Sequence, residues 1–313
     1  MGGAGPGGPV NELTTAGRLG RVRATAHAKL NVSLQVLGRR DDGFHELEAL
    51  TVSLNDPHDV VEIEAVPHPA GITFEMVGIT DEVPTDRSNL AYRAAEELLV
   101  RAGRSGHGVK VRLRKRIPAG AGLGGGSADA AAALVAVRRM LDIDIDDEGL
   151  AAIAATVGSD VPFCLWGGAA WMRGRGEILE RAPLPSGLHF LVAVPPLRLS
   201  TAAVYAAWDE LGGPQATRSI APVGPLAEVA TELVNDLEAA AEAVEPKLRE
   251  FREALEAAAG TPPLLAGSGS GYVIPLDPDG PDPAAEARRV SRALRNPVTA
   301  VSSVSRGVRL DVG

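Results

Sequence analysis

The stretch PAGAGLGGGSADAAAA, residues Pro118–Ala133, decides the fold of this chain. Its glycines, at positions 120, 122, 124, 125 and 126, directly precede an Ala- and Leu-rich run, Ala128–Met140, that favours a helix. In this interpretation Ser127 caps the helix and Asp129 lies in its first turn. A bare glycine backbone followed by a helix N-terminus gathers unpaired N–H groups and the positive end of the helix dipole. We therefore predict that the loop binds phosphate.

The loop differs from two well-known phosphate-binding motifs. It is not a Walker A loop, because it ends in Gly126-Ser127 and contains no Lys. It matches the dinucleotide fingerprint G-x-G-x-x-G, but the strand before that fingerprint is normally buried on both faces. Here the preceding strand, Val109–Ile117 (VKVRLRKRI), alternates apolar and basic residues. We therefore expect an antiparallel or mixed sheet, with a basic face that is solvated or raises the potential around the phosphate.

Composition limits the class of protein. The chain has 313 residues, 45% of them hydrophobic, which is enough for a large core and two domains. A net charge of −9 argues against broad nucleic-acid binding, and the apolar stretch Ala130–Val137 is too short to cross a bilayer. The Gly-rich residues 1–20 lack the pattern of a signal peptide and predict a disordered tail. We expect a cytoplasmic protein, a monomer or a weak homodimer, without nucleic-acid or membrane partners.

Several polar residues have both an ordinary and a functional interpretation. Lys29 and Asn31 lie on the polar face of an alternating strand, Arg21–Gly38, about 7 Å apart, and could simply be solvated. Asp160 precedes Val161-Pro162 and could serve only a turn. The lone Cys164 excludes an internal disulfide and predicts core filling. The scattered His residues predict no protein metal cage.

Three motifs in order, AKLN (Ala28–Asn31), the glycine loop (Pro118–Ala132) and AGSGSG (Ala266–Gly271), resemble those of the GHMP small-molecule kinases. DDGFHEL (Asp41–Leu47) and GSDVPF (Gly158–Phe163) resemble one branch of that family, whose substrate is a cytidine diphosphate-linked polyol. The resemblance covers nearly all of the chain after residue 20. It implies an α+β fold with two domains: a ribosomal protein S5 domain 2-like ATP-binding domain (21–181) and a ferredoxin-like substrate domain (182–313), with the site in the cleft between them.

The resemblance also implies roles for individual residues. Asp160 accepts the proton of the acceptor hydroxyl, and Lys29 is its charge partner, which agrees with the chemistry of phosphoryl transfer. The family often has Tyr where this chain has Phe44, so ring stacking is kept and a hydroxyl contact is lost. The ATP contacts implied are Asn89, Lys115, Pro118, Ala119, Gly120, Ala121, Gly122, Leu123, Gly124, Gly125, Gly126, Ser127 and Ala128, with Ser127 close to Mg²⁺. The substrate contacts implied are Asn31 for the polyol, and Phe44, His45, Phe190, Thr201 and Tyr205.

Three alternatives remain open from the sequence. Another GHMP kinase, acting on homoserine, mevalonate or a sugar, would keep the glycine loop without a cytosine clamp. A nicotinamide oxidoreductase would use the G-x-G-x-x-G match, against the pattern of the preceding strand. A nucleotide sensor or an RNA-binding domain would not explain Lys29 and Asp160 together, and the acidic charge counts against RNA.

Overall fold

Two long antiparallel strands, β1 (Val22–Arg39) and β2 (His45–Val66), form the centre of the sheet. They belong to a computed structural model that describes residues 20–66, 69–79, 83–213 and 233–311. Apart from Gly20, the tail predicted for residues 1–20 lies outside the described residues. The remaining strands are β3 (Gly71–Gly78), β4 (Gly108–Lys115), β5 (Ala169–Gly174), β6 (Ile178–Arg181), β7 (His189–Ala193), β8 (Leu264–Leu265), β9 (Tyr272–Pro275), β10 (Val298–Val304) and β11 (Val308–Asp311).

Eight helices cover the sheet within the described residues. The second helix packs on β1 and β2 and the first, third and fourth helices contact it, whereas the last helix packs on β7 and β10. They are α1 (Leu90–Arg101), α2 (Gly125–Met140), α3 (Asp147–Val157), α4 (Val161–Trp166), α5 (Thr201–Glu210), α6 (Glu238–Val244), α7 (Lys247–Ala259) and α8 (Pro283–Leu294).

The sheet is mixed, as the alternation in β4 predicts, and the α+β class is confirmed. Its hydrogen-bonded order is β11-β1-β2-β10-β7-β9-β8, with β4 and β5 also paired to β2. The pairing of β3 with β4 is parallel, and the others are antiparallel. The final strand returns to the first, with Arg23 opposite Asp311. The proposed boundary at residue 182 stays a prediction, and β11 pairs across it.

Strand β1 differs from its predicted half-buried form. Residues 28–36 are all buried, because helix α2 packs on β1 and the segment 234–236 forms hydrogen bonds with Ser33 and Leu34. The register with β2 also shifts between Asn31 and Ser33. Such a shift changes which face the following side chains point to. Leu34, and not Ser33, therefore lines a cavity together with Lys29 and Asn31.

The basic face of β4 is partly exposed to solvent, which is one of the two alternatives expected for it. Lys110 Nζ lies 2.5 Å from one oxygen of Glu75 on the neighbouring strand β3, and Arg112 Nε lies 2.9 Å from the other. The two strands run in parallel register, with Glu75 opposite Arg112. A cross-strand carboxylate thus neutralises charge that the sequence alone leaves unassigned.

Helix α2 begins at Gly125, three residues earlier than predicted, and Gly124 occupies the capping position in a left-handed conformation (φ 67°). Ser127 therefore lies within the first turn and is not the cap. Asp129 lies beyond the first turn and is buried. Alanines at positions 128, 130–133 and 136 are also buried, which makes the helix apolar nearly all round and lets it pack between the sheet and helices α1 and α4.

Candidate active site

The loop between β4 and α2 packs so closely on its surroundings that glycine is required at two positions. A Cβ atom on Gly122 would lie 1.6 Å from the carbonyl oxygen of Ala266, and one on Gly124 would lie 2.5 Å from Cγ of Lys29. Both glycines also have a positive φ, at 79° and 67°, which side chains disfavour. The loop therefore presents its backbone to two other parts of the chain at once.

The second glycine motif, residues 266–271, is a structural partner of the first. The backbone N–H of Ser270 donates to the carbonyl oxygen of Gly120 at 2.9 Å, and that of Gly271 donates to Ala121 at 3.2 Å. A Cβ atom on Gly269 would lie 1.9 Å from the nitrogen of Gly122. The AGSGSG stretch is thus more than a connecting turn, because its backbone forms hydrogen bonds with the predicted phosphate loop.

Lys29, Asn31 and Asp160 come together where these loops meet. Lys29 Nζ lies 3.4 Å from Asp160 Oδ2 and donates to Asn31 Oδ1 at 2.5 Å. Asn31 in turn donates to Thr51 Oγ1 at 2.8 Å, which fixes the orientation of its amide. The Lys29 side chain is buried, whereas that of Asp160 is 35% exposed and makes no capping hydrogen bond to α4. A helix cap therefore does not explain Asp160.

Two cavities adjoin at this cluster. One has a volume of about 660 Å³ and the other about 400 Å³. A group that binds in one cavity can therefore approach a group that binds in the other. The residues that line both are Lys29, Ser127, Asp160, Thr201 and Ser268.

The smaller cavity brings together most of the residues expected to contact ATP. The loop from Pro118 to Ser127 lines it, with the exception of Ala121, and so do Asn89 and Lys115. Ala121 and Ala128 are buried and do not line it. Asn89 also has a structural task, because its side chain accepts from the N–H of Ala91 at 2.9 Å and so caps helix α1.

Beneath the loop, Lys115 lies between two buried carboxylates, those of Asp59 and Asp129, that no local sequence pattern pairs with it. Its Nζ donates to Asp59 and, at 2.7 Å, to Asp129. Asp59 is fully buried, and its other oxygen accepts from the backbone N–H groups of Arg116 at 2.5 Å and Ile117 at 2.9 Å. Strand β2 contains several acidic residues, so no local pattern in the sequence distinguishes Asp59 from the others.

The ionisation of this triad follows from its burial. Burial lowers the pKa of Lys115, but the two carboxylates outweigh it and raise that pKa above its usual value. Burial raises the pKa of Asp129 well above its usual value, against the opposing effect of Lys115. One oxygen of Asp129 has no hydrogen-bond partner among the described residues. Lys115 is thus a charged anchor that joins β2, β4 and helix α2.

Aromatic side chains line one part of the larger cavity, here called its aromatic end. The His45 ring stacks on Tyr205, with centroids 4.7 Å apart, and meets the edge of Trp208. His45 Nε2 lies 2.9 Å from Asp209 Oδ1. The Phe44 ring is about half exposed at the cavity wall. Burial, with a smaller effect of Asp160, raises the pKa of the Tyr205 hydroxyl.

The expectation for Phe190 is wrong. Its side chain is fully buried in β7 and lines neither cavity, because the neighbouring strands β9 and β10 hold it within the sheet. Phe44, His45, Thr201 and Tyr205 do line the larger cavity. Three charged residues there were missed, Arg39, Arg175 and Asp209. Surface charges are common in any sequence, so only the fold could distinguish these three.

Known proteins resemble the chain over most of its length. A 4-diphosphocytidyl-2-C-methyl-D-erythritol kinase of Pelotomaculum thermopropionicum is 42% identical over 254 residues, which cover 79% of this chain and 86% of the relative. The chain belongs to the 4-diphosphocytidyl-2-C-methyl-D-erythritol kinase family. A crystal structure of a 4-(cytidine 5'-diphospho)-2C-methyl-D-erythritol kinase is 38% identical and superimposes with a TM-score of 0.70, covering 90% of this chain and 98% of the other.

The family lies within the GHMP kinases, whose N-terminal domain matches residues 89–168. A homoserine kinase from Cytophaga hutchinsonii is only 18% identical but has the same fold, with a TM-score of 0.68 over 96% of this chain and all of the other. As a member of the 4-diphosphocytidyl-2-C-methyl-D-erythritol kinase family, the chain is an ATP-dependent kinase that acts on a small molecule. The oxidoreductase alternative is therefore wrong. Within the described residues, no helix is both long and apolar enough to span a membrane.

The triad makes a prediction about stability. Replacing Lys115 with Met removes the ammonium and leaves Asp59 and Asp129 buried without a cation, so the free energy of unfolding should fall by about 3 kcal/mol or more. Lys110→Met on the same strand removes a solvent-exposed ion pair with Glu75 and should lower the free energy of unfolding much less. Urea unfolding of both variants, without nucleotide, measures the difference. Equal losses in the two variants would contradict the anchoring role of Lys115.

Proposed function

We propose that this kinase transfers the γ-phosphoryl group of ATP to the 2-hydroxyl of 4-diphosphocytidyl-2-C-methyl-D-erythritol, in the methylerythritol phosphate route to isopentenyl diphosphate and other isoprenoids. One observation carries the proposal: the Lys29–Asp160 pair lies at the junction of a glycine-lined cavity and a cavity that aromatic side chains line in part. A phosphate donor in the first cavity and a nucleotide-linked alcohol in the second would react at that pair.

The smaller cavity suits the triphosphate of ATP. Its glycine loop ends at the first turn of α2, where unpaired N–H groups and the helix dipole favour phosphate oxygens. Mg²⁺ would reach the site with the phosphates, since among the described residues no group of three or more His, Cys, Asp or Glu could hold a metal ion. The Ser127 hydroxyl at the junction could complete its shell, and the ion would offset charge on the transferring group.

Asp160 has the position expected of a proton acceptor. It is partly exposed at the junction, lies next to Lys29, and its oxygens are not used by a helix cap. An alcohol that attacks phosphorus must lose its proton, and a carboxylate within hydrogen-bond reach can take it. The ammonium of Lys29 would stabilise the negative charge that develops on the oxygens of the reacting groups.

The larger cavity supports the choice of substrate. Asn31, with its amide fixed by Thr51, lies beside Lys29 and could contact the polyol. Phe44, His45 and Tyr205 line the same cavity, where flat rings could contact a cytosine base. A GHMP kinase for a smaller alcohol, such as homoserine or mevalonate, would have no use for that aromatic end.

The direct test is a transfer assay. The pure protein is incubated with ATP, Mg²⁺ and the cytidylylated methylerythritol, and ³¹P NMR should detect a new monophosphate ester. Homoserine, mevalonate and the polyol phosphate without cytidine serve as competing acceptors. Turnover of any of these at the same efficiency would contradict the proposed substrate.

The role of Asp160 predicts the behaviour of Asp160→Asn. The amide keeps the shape of the side chain but cannot accept a proton, so turnover should fall by about 100-fold or more while the affinity for ATP stays within about twofold. Steady-state kinetics and nucleotide titration measure the two effects. A variant that keeps more than about a tenth of native turnover would show that Asp160 is not the proton acceptor.

An arginine at position 29 should not restore the function of the Lys29 side chain. Lys29 Nζ donates to Asn31 Oδ1 at 2.5 Å and lies 3.4 Å from Asp160 Oδ2, so one compact ammonium serves both partners, and a forked guanidinium has a different shape and donor geometry. We expect turnover to drop as strongly as in Lys29→Ala. Near-native turnover of the Arg variant would mean that any positive charge suffices at this position.

Removing the aromatic end should affect one substrate only. Tyr205→Ala and Phe44→Ala should each raise the KM for the cytidylylated substrate about tenfold or more, the effect of losing one base-stacking ring, and leave the KM for ATP unchanged. Tyr92→Ala is the matched control, because Tyr92 lies on α1 against Phe74 and lines neither cavity. If the control and the two variants behave alike, these rings do not bind cytidine.

A further inference from the structure

Arg175 lies in the tight turn between β5 and β6 and lines the larger cavity. The glycines on either side of it have positive φ values, 70° for Gly174 and 114° for Gly176, so the turn projects one large side chain between two bare positions. The Arg175 guanidinium lies over the Phe44 ring, 4.6 Å from its centroid. Its side chain is 30% exposed and therefore accessible to a ligand in the cavity.

The same turn reaches the reacting end of the cavity. A Cβ atom on Gly176 would lie 3.4 Å from Asp160 Oδ1. The turn thus approaches two parts of the site. Arg175 contacts Phe44 of the aromatic end, and its neighbour Gly176 lies close to Asp160. A cytidine diphosphate-linked polyol has its diphosphate between the base and the alcohol that reacts.

The charges of the cavity single out Arg175 among its cations. Lys29 lies 3.4 Å from Asp160, and Arg39 lies 3.6 Å from Asp209, so carboxylates of the same cavity neutralise both. The nearest carboxylate to Arg175 is that of Glu177, at 3.8 Å from Nε, and Glu177 does not line the cavity. Arg175 affects the carboxylate of Asp42 only weakly, because its charge is the smallest of the causes that lower the pKa of Asp42.

We propose that Arg175 binds the diphosphate of the substrate and so selects nucleotide-linked alcohols over free ones. The guanidinium can donate two parallel hydrogen bonds to phosphate oxygens while its flat face stays on the Phe44 ring. This inference rests on the proposed function and adds to it the residue that recognises the charged centre of the substrate. The position of Arg175 in the chain, ten or more residues after the GSDVPF motif, gives no sequence signal for this role.

The test compares two ligands that differ only in the diphosphate. Cytidine and cytidine 5'-diphosphate are titrated calorimetrically into the whole enzyme, with the nucleotide cavity saturated by a non-hydrolysable ATP analogue so that only the larger cavity is free. The native enzyme should bind the diphosphate form more tightly than cytidine. In Arg175→Gln that advantage should shrink by about 10- to 100-fold, the effect of losing hydrogen bonds to a charged group, whereas cytidine itself should bind nearly as before.

Two further variants sharpen the result. Arg175→Lys keeps a point charge without the fork and should restore part of the advantage. Arg173→Gln is the matched control on the same hairpin, because Arg173 pairs with Glu48 and Glu180 outside the cavity, and it should keep the native ratio of affinities.

The outcomes separate this inference from the proposed function. An unchanged ratio of affinities in Arg175→Gln, with cytidine bound normally by the native enzyme, would overturn the role of Arg175 alone. An equal loss in Arg173→Gln would do the same. A native enzyme that binds neither ligand would contradict the proposed function and this inference with it.

Discussion

A buried ammonium group, that of Lys115, holds together the parts of the chain from which the active site is built. It joins Asp59 on the central strand β2 to Asp129 on helix α2, while Asp59 also receives two backbone N–H groups at the start of the glycine loop. Removing either kind of partner would leave charge in an apolar interior, which proteins tolerate poorly. This ion cluster therefore fixes where the glycine loop begins and where the N-terminus of α2 points.

In the glycine loop, the backbone itself makes the close contacts that side chains make in other parts of the site. Because Gly122 and Gly124 have no Cβ, the loop contacts both the second glycine motif and the stem of Lys29. This close approach brings the ammonium of Lys29 to Asp160 at the junction of the two cavities. Selectivity for the substrate depends on other elements. The aromatic residues lie at the turn between β1 and β2 and on helix α5, far from the phosphate loop in sequence. Catalysis and recognition can thus change independently.

The sequence predicted the local features well. The helix predicted after the glycine loop is present and ends at Met140 as expected, and the glycine loop, Lys29, Asn31 and Asp160 come together as the family resemblance implies. Errors arose where long-range pairing decides the outcome. The register shift after Asn31, the Glu75 partner of β4 and the burial of Phe190 all depend on neighbouring strands that no local pattern specifies. The same holds for Asp59, because only the folded chain brings it to Lys115.

The central claim is that donor phosphate and acceptor hydroxyl meet at Lys29 and Asp160. A crystal structure of the enzyme with a non-hydrolysable ATP analogue and the cytidylylated methylerythritol tests it most directly. The account predicts the terminal phosphate at the first turn of α2 and the acceptor 2-hydroxyl within about 3.2 Å of an Asp160 oxygen, on the side of Lys29. A hydroxyl beyond hydrogen-bond reach of Asp160, or a cytidine bound in the glycine-lined cavity, would contradict it.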